Sequence, residues 1–216
     1  MPFLSRLDVV TPAATPAVSV GLVRKHTRID NVYDDDLLTV YISSATALCE
    51  AFLNRALITQ TLKYSLIRTT SQNSWPLAPT PLFILPLGIE WILMNMQERD
   101  IGLPRSPCQS VTSVNVGSWG EADTTLVADV DYNVDLTVDP GRVHLTSGEN
   151  WEFRDHITFQ YVAGYGDDMT SIPTPIVHAL LLATASFYEN RGDEGVGDLP
   201  EAVYNLLWPY RLVTFR

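Results

Sequence analysis

The sequence predicts an α+β fold: a small helical bundle, made of N-terminal and C-terminal helices, with an inserted antiparallel β block and extended termini. Apolar residues recur at helical spacing over residues 34–53 and fill nearly all of 175–188, whereas residues 58–66 alternate between apolar and polar side chains. Helices, then strands, then helices again indicate segregated layers and not a parallel sheet. We expect an extended N-terminal arm (1–18), a helical core (19–56 with 172–208), a β-rich insertion (57–165) and a C-terminal tail (209–216).

The first segment predicts little regular structure before the first helix. Pro2, Pro12 and Pro16 stand among Thr, Ala and Val, so an extended arm is favoured over a folded element. Ser19 is a candidate cap for a short helix that ends near His26. Glycine and β-branched residues lower the helix propensity of that segment.

The second helix has a marked start and two different faces. Asp34, Asp35 and Asp36 place negative charge where it stabilises a helix N-terminus, and no calcium-loop spacing follows them. Its predicted core face comprises Leu37, Leu38, Tyr41, Ile42, Ala45, Leu48, Cys49, Phe52 and Leu53. A second line of mostly small residues, Val40, Ser44, Ala47 and Ala51, would allow another helix to approach closely.

The middle of the chain predicts β-strands. Besides the alternating run after residue 57, we expect strands near Phe83, over 110–116 and over 132–138. The sequence Val138-Asp139-Pro140-Gly141-Arg142 is a turn signal, since Pro presets one dihedral and Gly accepts a left-handed one. It should join residues 133–138 to residues 142–145 as a hairpin.

The last quarter predicts a strand, a turn and an apolar helix. Gly164-Tyr165-Gly166-Asp167 indicates a strand-to-helix turn that needs positive dihedrals. Thr174 and Pro175 mark the helix start. A helix that is apolar nearly all round must be covered on most sides. It is either the central core helix of one subunit or a helix packed between neighbouring subunits, and the pattern leaves both open.

Composition excludes several classes of protein. A chain of 216 residues with 46% hydrophobic content can build a real core, and its net charge of −11 disfavours binding to nucleic-acid phosphate. The two cysteines, Cys49 and Cys108, fit a reduced intracellular protein without a disulfide framework, and the first residues lack the apolar core of a secretion signal. We therefore expect synthesis in the cytoplasm.

An apolar stretch over residues 81–96 is interrupted by Pro86, Gly88 and Glu90, and it is shorter than the ~20 residues of a membrane span. We expect no membrane association. A buried strand pair is favoured over an exposed docking patch.

No catalytic, cofactor or metal site is predicted. His26, His144, His156 and His178 show no zinc-ligand spacing, and the chain has no Gly-x-Ser-x-Gly nucleophile motif. The glycines around Tyr165 lack the lysine and the longer loop of a phosphate cradle. We therefore expect a protein that is not an enzyme.

A series of short phrases occurs in a defined order along the chain. They are Val10-Thr11-Pro12, Ser19-Val20, Arg28-Ile29-Asp30, Asn54-Arg55-Ala56-Leu57-Ile58-Thr59-Gln60-Thr61, Leu103-Pro104-Arg105-Ser106-Pro107-Cys108-Gln109-Ser110-Val111, Ala163-Gly164-Tyr165-Gly166-Asp167 with Ile172-Pro173, and Leu206-Leu207-Trp208-Pro209-Tyr210-Arg211. In number and order they resemble the head-to-tail connector, or adaptor, family of long-tailed bacteriophages and related gene-transfer agents. The resemblance covers most of the chain.

The resemblance implies a virion structural protein. It implies a ring of twelve identical subunits that docks beneath the portal protein of the capsid, offers a platform to stopper and tail proteins, and lies in the neck between head and tail. Double-stranded DNA would pass through the ring, and an acidic lumen would let it slide without specific binding.

Two sets of residues are candidates for the contacts of such a ring. The portal-docking candidates are Trp208, Tyr210, Arg211 and Phe215, because aromatic and arginine side chains are typical interface anchors and an apolar extended tail can fill a groove on a partner. The candidates for inter-subunit packing are Val40, Ala47, Ala51, Leu181 and Ala185. For the tail-side contact the best candidate is the β block, including the loop around Trp119 and the patch from Phe83 to Trp91.

Two other classes stay open on the sequence alone. A tail-completion protein or another binding module would be monomeric and would ignore portals. An acid-dependent hydrolase would need a pocket with convergent carboxylates.

Overall fold

A computed structural model describes residues 3–68, 100–146, 155–190 and 199–212, and these residues form the predicted α+β fold. Helices α1 to α4 form a helical core, and the strands form two antiparallel sheets. The helices are α1 (Val20–Thr27), α2 (Asp35–Leu53), α3 (Thr174–Glu189) and α4 (Glu201–Leu207), with short 3₁₀ turns at Met169–Ser171 and Trp208–Tyr210. The strands are β1 (Phe3–Thr11), β2 (Gln60–Arg68), β3 (Asp100–Gly102), β4 (Cys108–Gly117), β5 (Thr124–Leu126), β6 (Tyr132–Asp135), β7 (Arg142–Leu145) and β8 (His156–Ala163).

Helix α3 is the centre of the helical core. It packs against α1, α2 and α4, and it buries Ile176, Leu180, Ala183 and Phe187. The chain itself therefore covers much of the apolar helix predicted over 175–188. Of the two interpretations left open by the sequence, the core helix of one subunit accounts for this burial.

Helix α2 supplies a second wall of this core. Leu38, Ile42, Ala45, Cys49 and Leu53 are buried on one side of it, as the spacing predicted. Leu48 was predicted for the same face but is exposed, because it lies about 100° around the helix from Cys49. Among the described residues it is also the one helix long and apolar enough to cross a membrane, by length and composition alone. Its buried stripe identifies it as a core helix of the domain.

The larger sheet has the strand order β1-β2-β8-β4-β5 within the described chain, and every neighbouring pair is antiparallel. The central strand β8 alternates regularly, with Ile157, Phe159, Tyr161 and Ala163 buried. Leu62 on β2 lies opposite Tyr161, and Val114 on β4 lies opposite Phe159. This period-2 burial gives the sheet an apolar core of its own, distinct from that of the helices.

The smaller sheet has the order β3-β7-β6 and contains the predicted hairpin. Asn133 lies opposite His144, and Asp135 lies opposite Arg142. The turn between them contains Pro140 and Gly141, so the predicted hairpin is confirmed. The expected left-handed dihedral at Gly141 is wrong, because its φ is not positive.

The expectation of an N-terminal arm has to be corrected. Residues Phe3–Thr11 are extended, but they form strand β1, which pairs with β2 along nearly its whole length at the edge of the larger sheet. The prolines that indicated an arm flank this segment and do not interrupt it, so its backbone N–H groups are free to join the ladder.

The larger sheet has two ends with different surroundings. At its core end, β2 and β4 begin and β8 stops beside the helical core, where the Tyr165 N–H donates to the Leu57 carbonyl at 3.2 Å. At its far end, His156 lies opposite both Ile67 and Gly117. Since β4 has ten residues and a strand rises ~3.3 Å per residue, the two ends are about 30 Å apart.

Several predictions fall outside the described residues. They are the strand near Phe83, the apolar stretch over 81–96 and the patch from Phe83 to Trp91.

A substitution at Gly164 tests whether the turn between the large sheet and the helical core requires a glycine. Its φ of +137° disfavours any side chain, and a Cβ there would lie 2.6 Å from the backbone of Ile58 and Thr59. We expect Gly164→Ala to lower the free energy of unfolding by at least about 2 kcal/mol in urea denaturation.

The matched control is Gly21→Ala in α1, where a Cβ meets no atom within 4 Å. That change should raise stability by about 0.5–1 kcal/mol through helix propensity. Equal effects of the two substitutions would contradict this account of the turn.

Candidate functional site

The C-terminal turn, defined here as residues 208–212, folds back on the end of α2. The Leu212 N–H donates to the Leu53 carbonyl at 2.9 Å, and Arg55 Nε donates to the Tyr210 carbonyl at 2.6 Å. The chain is therefore fixed to the domain as far as Leu212. The expectation of a tail that projects from residue 209 needs this correction, because the backbone at the end of α2 supplies partners for it.

An aromatic cluster with one cation surrounds this turn. The rings of Phe52 and Tyr204 meet edge to face with centroids 4.9 Å apart, and the Phe52 and Trp208 centroids are 6.2 Å apart. The Arg211 guanidinium lies 4.9 Å from the Phe52 centroid and 5.5 Å from that of Trp208, within cation–π range. Trp208 is nevertheless 64% exposed, and Arg211 is exposed as well. The cluster thus holds two typical anchor residues in place while it presents them to solvent.

Arg55 ties this turn to the smaller sheet. Its Nη2 lies 2.6 Å from Asp139 Oδ2 in the β6–β7 turn, while its Nε binds the Tyr210 carbonyl. Only 13% of the Arg55 side chain is exposed, whereas 44% of Asp139 is exposed, so water reaches this ion pair from the Asp139 side. Burial raises the pKa of the neighbouring Tyr165 hydroxyl, and the Arg55 guanidinium opposes that rise.

Glu50, in the last turn of α2, binds the segment that joins α2 to β2, which we call the junction. Its carboxylate accepts from the Leu57 N–H at 2.8 Å and from Gln60 Nε2 at 3.3 Å, and Arg105 Nη1 lies 3.4 Å away. Burial raises the pKa of Glu50, and these donors partly oppose the rise. Burial also raises the pKa of the adjacent Cys49 thiol to about 12, which removes it as a nucleophile. Both side chains therefore serve the fold.

The outer face of α2 is uncovered by the described residues. It is defined here by the exposed residues Val40, Ser44, Ala47, Leu48 and Ala51. The predicted line of small residues lies on this face, on the opposite side of the helix from Ile42 and Cys49. Leu181 and Ala185, predicted for the same contact, are half-buried on α3.

Trp119 lies at the far end of the large sheet, in the loop between β4 and β5. Its backbone N–H donates to Asp155 Oδ2 at 3.0 Å, and its ring centroid lies 5.9 Å from that of His156. His156 Nε2 in turn lies 2.7 Å from Asp123 Oδ1. The structure therefore places Trp119 at the end of the large sheet opposite to the one beside the helical core and the C-terminal turn.

Three of the four predicted portal-docking residues, Trp208, Tyr210 and Arg211, come together at the C-terminal turn, and Phe215 lies outside the described residues. Sequence reasoning missed the roles of Phe52 and Arg55. Phe52 had been assigned to the buried face of α2 by its spacing, yet it is half-buried and its ring contacts Trp208 of the turn at a tilt of 43°. Arg55 stands in one of the motif phrases, but nothing in its neighbourhood indicates partners 84 and 155 positions away. Within the described ranges, no group of three or more His, Cys, Asp or Glu side chains is placed to hold a metal ion.

The comparisons with known proteins agree with the predicted resemblance. Residues 19–75 match the family model of Phage gp6-like head-tail connector proteins, which confirms the similarity over α1, α2 and the start of the β block. No curated protein matches the sequence.

Solved structures share the fold over almost the whole chain. One is a chain in the neck of an empty gene transfer agent (GTA) particle computed with C6 symmetry, with a TM-score of 0.68, 20% identity, and coverage of 98% of this chain and 97% of that one. A second is a chain in the virion of a native GTA particle, with a TM-score of 0.69, 20% identity and 97% of both chains covered. A third is from the neck of a native GTA particle computed with C12 symmetry, with a TM-score of 0.66, 20% identity, and 98% and 97% covered.

The raised pKa of Glu50 predicts how the stability of the protein changes with pH. Because burial raises the folded-state pKa of this carboxyl, its contribution to stability is full below the unfolded value of about 4.3 and falls as pH rises through the folded value. We expect the stability of the wild type relative to Glu50→Gln to decrease as pH rises from about 4. Urea denaturation of both proteins at increasing pH measures the difference, and an increase with pH would contradict the assignment.

Proposed function

We propose that this protein is a non-enzymatic adaptor of a virion neck, where a ring of identical copies joins the capsid portal protein to the stopper and tail proteins. The observation that carries the proposal is the similarity of nearly the whole chain to chains from GTA necks, together with the connector-family match over residues 19–75. The C12 symmetry of one of those necks supports a ring of twelve.

The outer face of α2 is the surface that we assign to ring closure. Its small side chains allow close approach of a neighbouring helix, and Val40 and Leu48 add apolar area that the described residues leave uncovered. A contact of this face with a different surface of the next copy is heterologous, and such contacts close into rings when the rotation permits. Leu181 and Ala185 on α3 are the candidates for that second surface.

The C-terminal turn is the surface that we assign to portal docking. Trp208 and Arg211 are exposed but held by Phe52 and by backbone hydrogen bonds to the end of α2. Preorganised anchors lose little side-chain entropy on binding, which favours affinity. Phe215 would extend this contact beyond the turn.

The acidic character of the chain suits a channel for DNA. With a net charge of −11, twelve copies would repel phosphate instead of collecting it, so double-stranded DNA would pass without specific binding.

The alternative function is that of a monomeric binding module. The observation that favours it is the C-terminal turn, which packs on its own domain as far as Leu212 and needs no partner to be ordered. Ring formation on a portal distinguishes the two functions.

Substitutions at the C-terminal turn test portal docking. We expect the double variant Trp208→Ala with Arg211→Ala to fold normally, because both side chains are exposed, and to lose at least about tenfold in affinity for purified portal protein. Negative-stain electron microscopy of the mixture should show a second ring stacked on the portal with wild type and a bare portal with the variant.

The matched control is Trp119→Ala, an exposed tryptophan at the far end. It should leave the stacked ring unchanged. If the double variant forms the second ring on the portal, the assignment of the C-terminal turn to docking is wrong. If the wild type forms no second ring, the adaptor proposal itself is wrong.

A charged side chain on the outer face of α2 tests ring closure. Ala47→Arg should keep the unfolding midpoint of the monomer, since Ala47 is exposed, and should prevent closed rings on the portal through steric and charge effects. Ala47→Ser is the control, because it keeps the residue small. Closed rings of Ala47→Arg under electron microscopy would refute this assignment.

A further inference from the structure

The loops that follow β4 and β5 expose apolar side chains, and the first of them lies at the far end of the large sheet. Trp119 is 67% exposed, and Val127 and Val130 are 58% and 65% exposed in the turn that precedes β6. The Thr146 N–H donates to the Asp131 carbonyl at 3.0 Å, which places the turn with Val127 and Val130 beside the end of β7. Exposed tryptophan is unusual on a surface that only contacts water, and it is common at interfaces.

The loop that carries Trp119 is held by several contacts. Besides the bond from its own N–H to Asp155, the Asp155 N–H donates to the Gly117 carbonyl at 3.1 Å. His156 and Asp123 close over Gly117, where a Cβ would lie 2.3 Å from the imidazole and 2.6 Å from the carboxylate. The absence of a side chain at Gly117 therefore permits the contact that fixes the loop. An indole presented on such a loop is preorganised for binding.

The charged residues near these apolar side chains are mostly acidic. No Lys, Arg or His occurs between residues 106 and 141. Acidic residues follow β4 and β5 and precede β8: Glu121, Asp123, Asp129, Asp131 and Asp155. Among the described residues at the far end, Arg68 stands at the end of β2, and His156 lies against Asp123. A protein that covers this end would meet carboxylates around an apolar centre, so charge complementarity requires Lys and Arg on the partner's rim.

We propose that the far end is a second docking surface, with Trp119 as its anchor, and that its occupant is the tail-side protein of the neck, through an apolar pocket with a basic rim. This inference rests on the proposed function, since the portal is assigned to the C-terminal turn about 30 Å away. A ring whose subunits carry the two surfaces at opposite ends can bind two different partners at once.

Particle assembly tests this surface. In a producer that lacks the gene for this chain, variants are supplied from a plasmid, and the particles are purified and counted by negative-stain electron microscopy. Mass spectrometry of the purified heads reports whether this chain is present on them.

With Trp119→Ala we expect heads that still carry this chain, while the fraction of heads with tails falls at least about tenfold. Trp208→Ala with Arg211→Ala is the matched control and should give heads without this chain. Glu121→Lys, at an exposed position, should also lower the tailed fraction because it places a cation opposite the partner's basic rim. Trp119→Phe should retain more tails than Trp119→Ala.

The outcomes separate this inference from the proposed function. Normal tailing by both Trp119→Ala and Glu121→Lys would overturn the far-end surface and leave the adaptor function intact. Loss of this chain from the heads with Trp119→Ala would also overturn it, because the indole would then serve the portal or a second copy. If wild-type heads lack this chain, both the far-end surface and the adaptor function are wrong.

Discussion

The structure depends on the short segment between the end of α2 and the start of β2. Within a few residues it binds the C-terminal turn through the Leu53 carbonyl, the β6–β7 turn through Arg55, and the turn after β8 through the Leu57 carbonyl. Glu50 adds its carboxylate from inside the helix. Since buried polar groups are costly without partners, these contacts fix one arrangement of helical core, sheets and C-terminal turn.

This junction explains why the two proposed docking surfaces lie where they do. The C-terminal turn is bound at the core end of the sheet, and the strands carry the Trp119 loop about 30 Å away from it. The outer face of α2 runs between neighbouring copies in the proposed ring. The outer face of α2 lies opposite the buried stripe of that helix, so a neighbouring copy can be bound there without disturbing the helical core.

Much of the fold could be predicted from the sequence because its signals are local. The acidic start and apolar stripe of α2, the alternation in β2, and the Pro-Gly turn of the β6–β7 hairpin each depend on residues close together in the chain. The pairing of Phe3–Thr11 with β2 could not be predicted in the same way, because strand partners about 60 residues apart leave no local pattern. For the same reason the contacts of Arg55 with Asp139 and Tyr210 were missed. The aromatic and arginine side chains near the end of the chain indicated a docking surface, but only the structure shows that Phe52 holds them in place.

A cryo-electron microscopy reconstruction of the neck of the particle that contains this chain tests the central claim most directly. The adaptor account predicts twelve copies in a closed ring, with the C-terminal turn of each copy against the portal and the Trp119 loop towards the tail. A neck in which this chain is absent from the ring beneath the portal, or in which its C-terminal turn faces away from the portal, would contradict it.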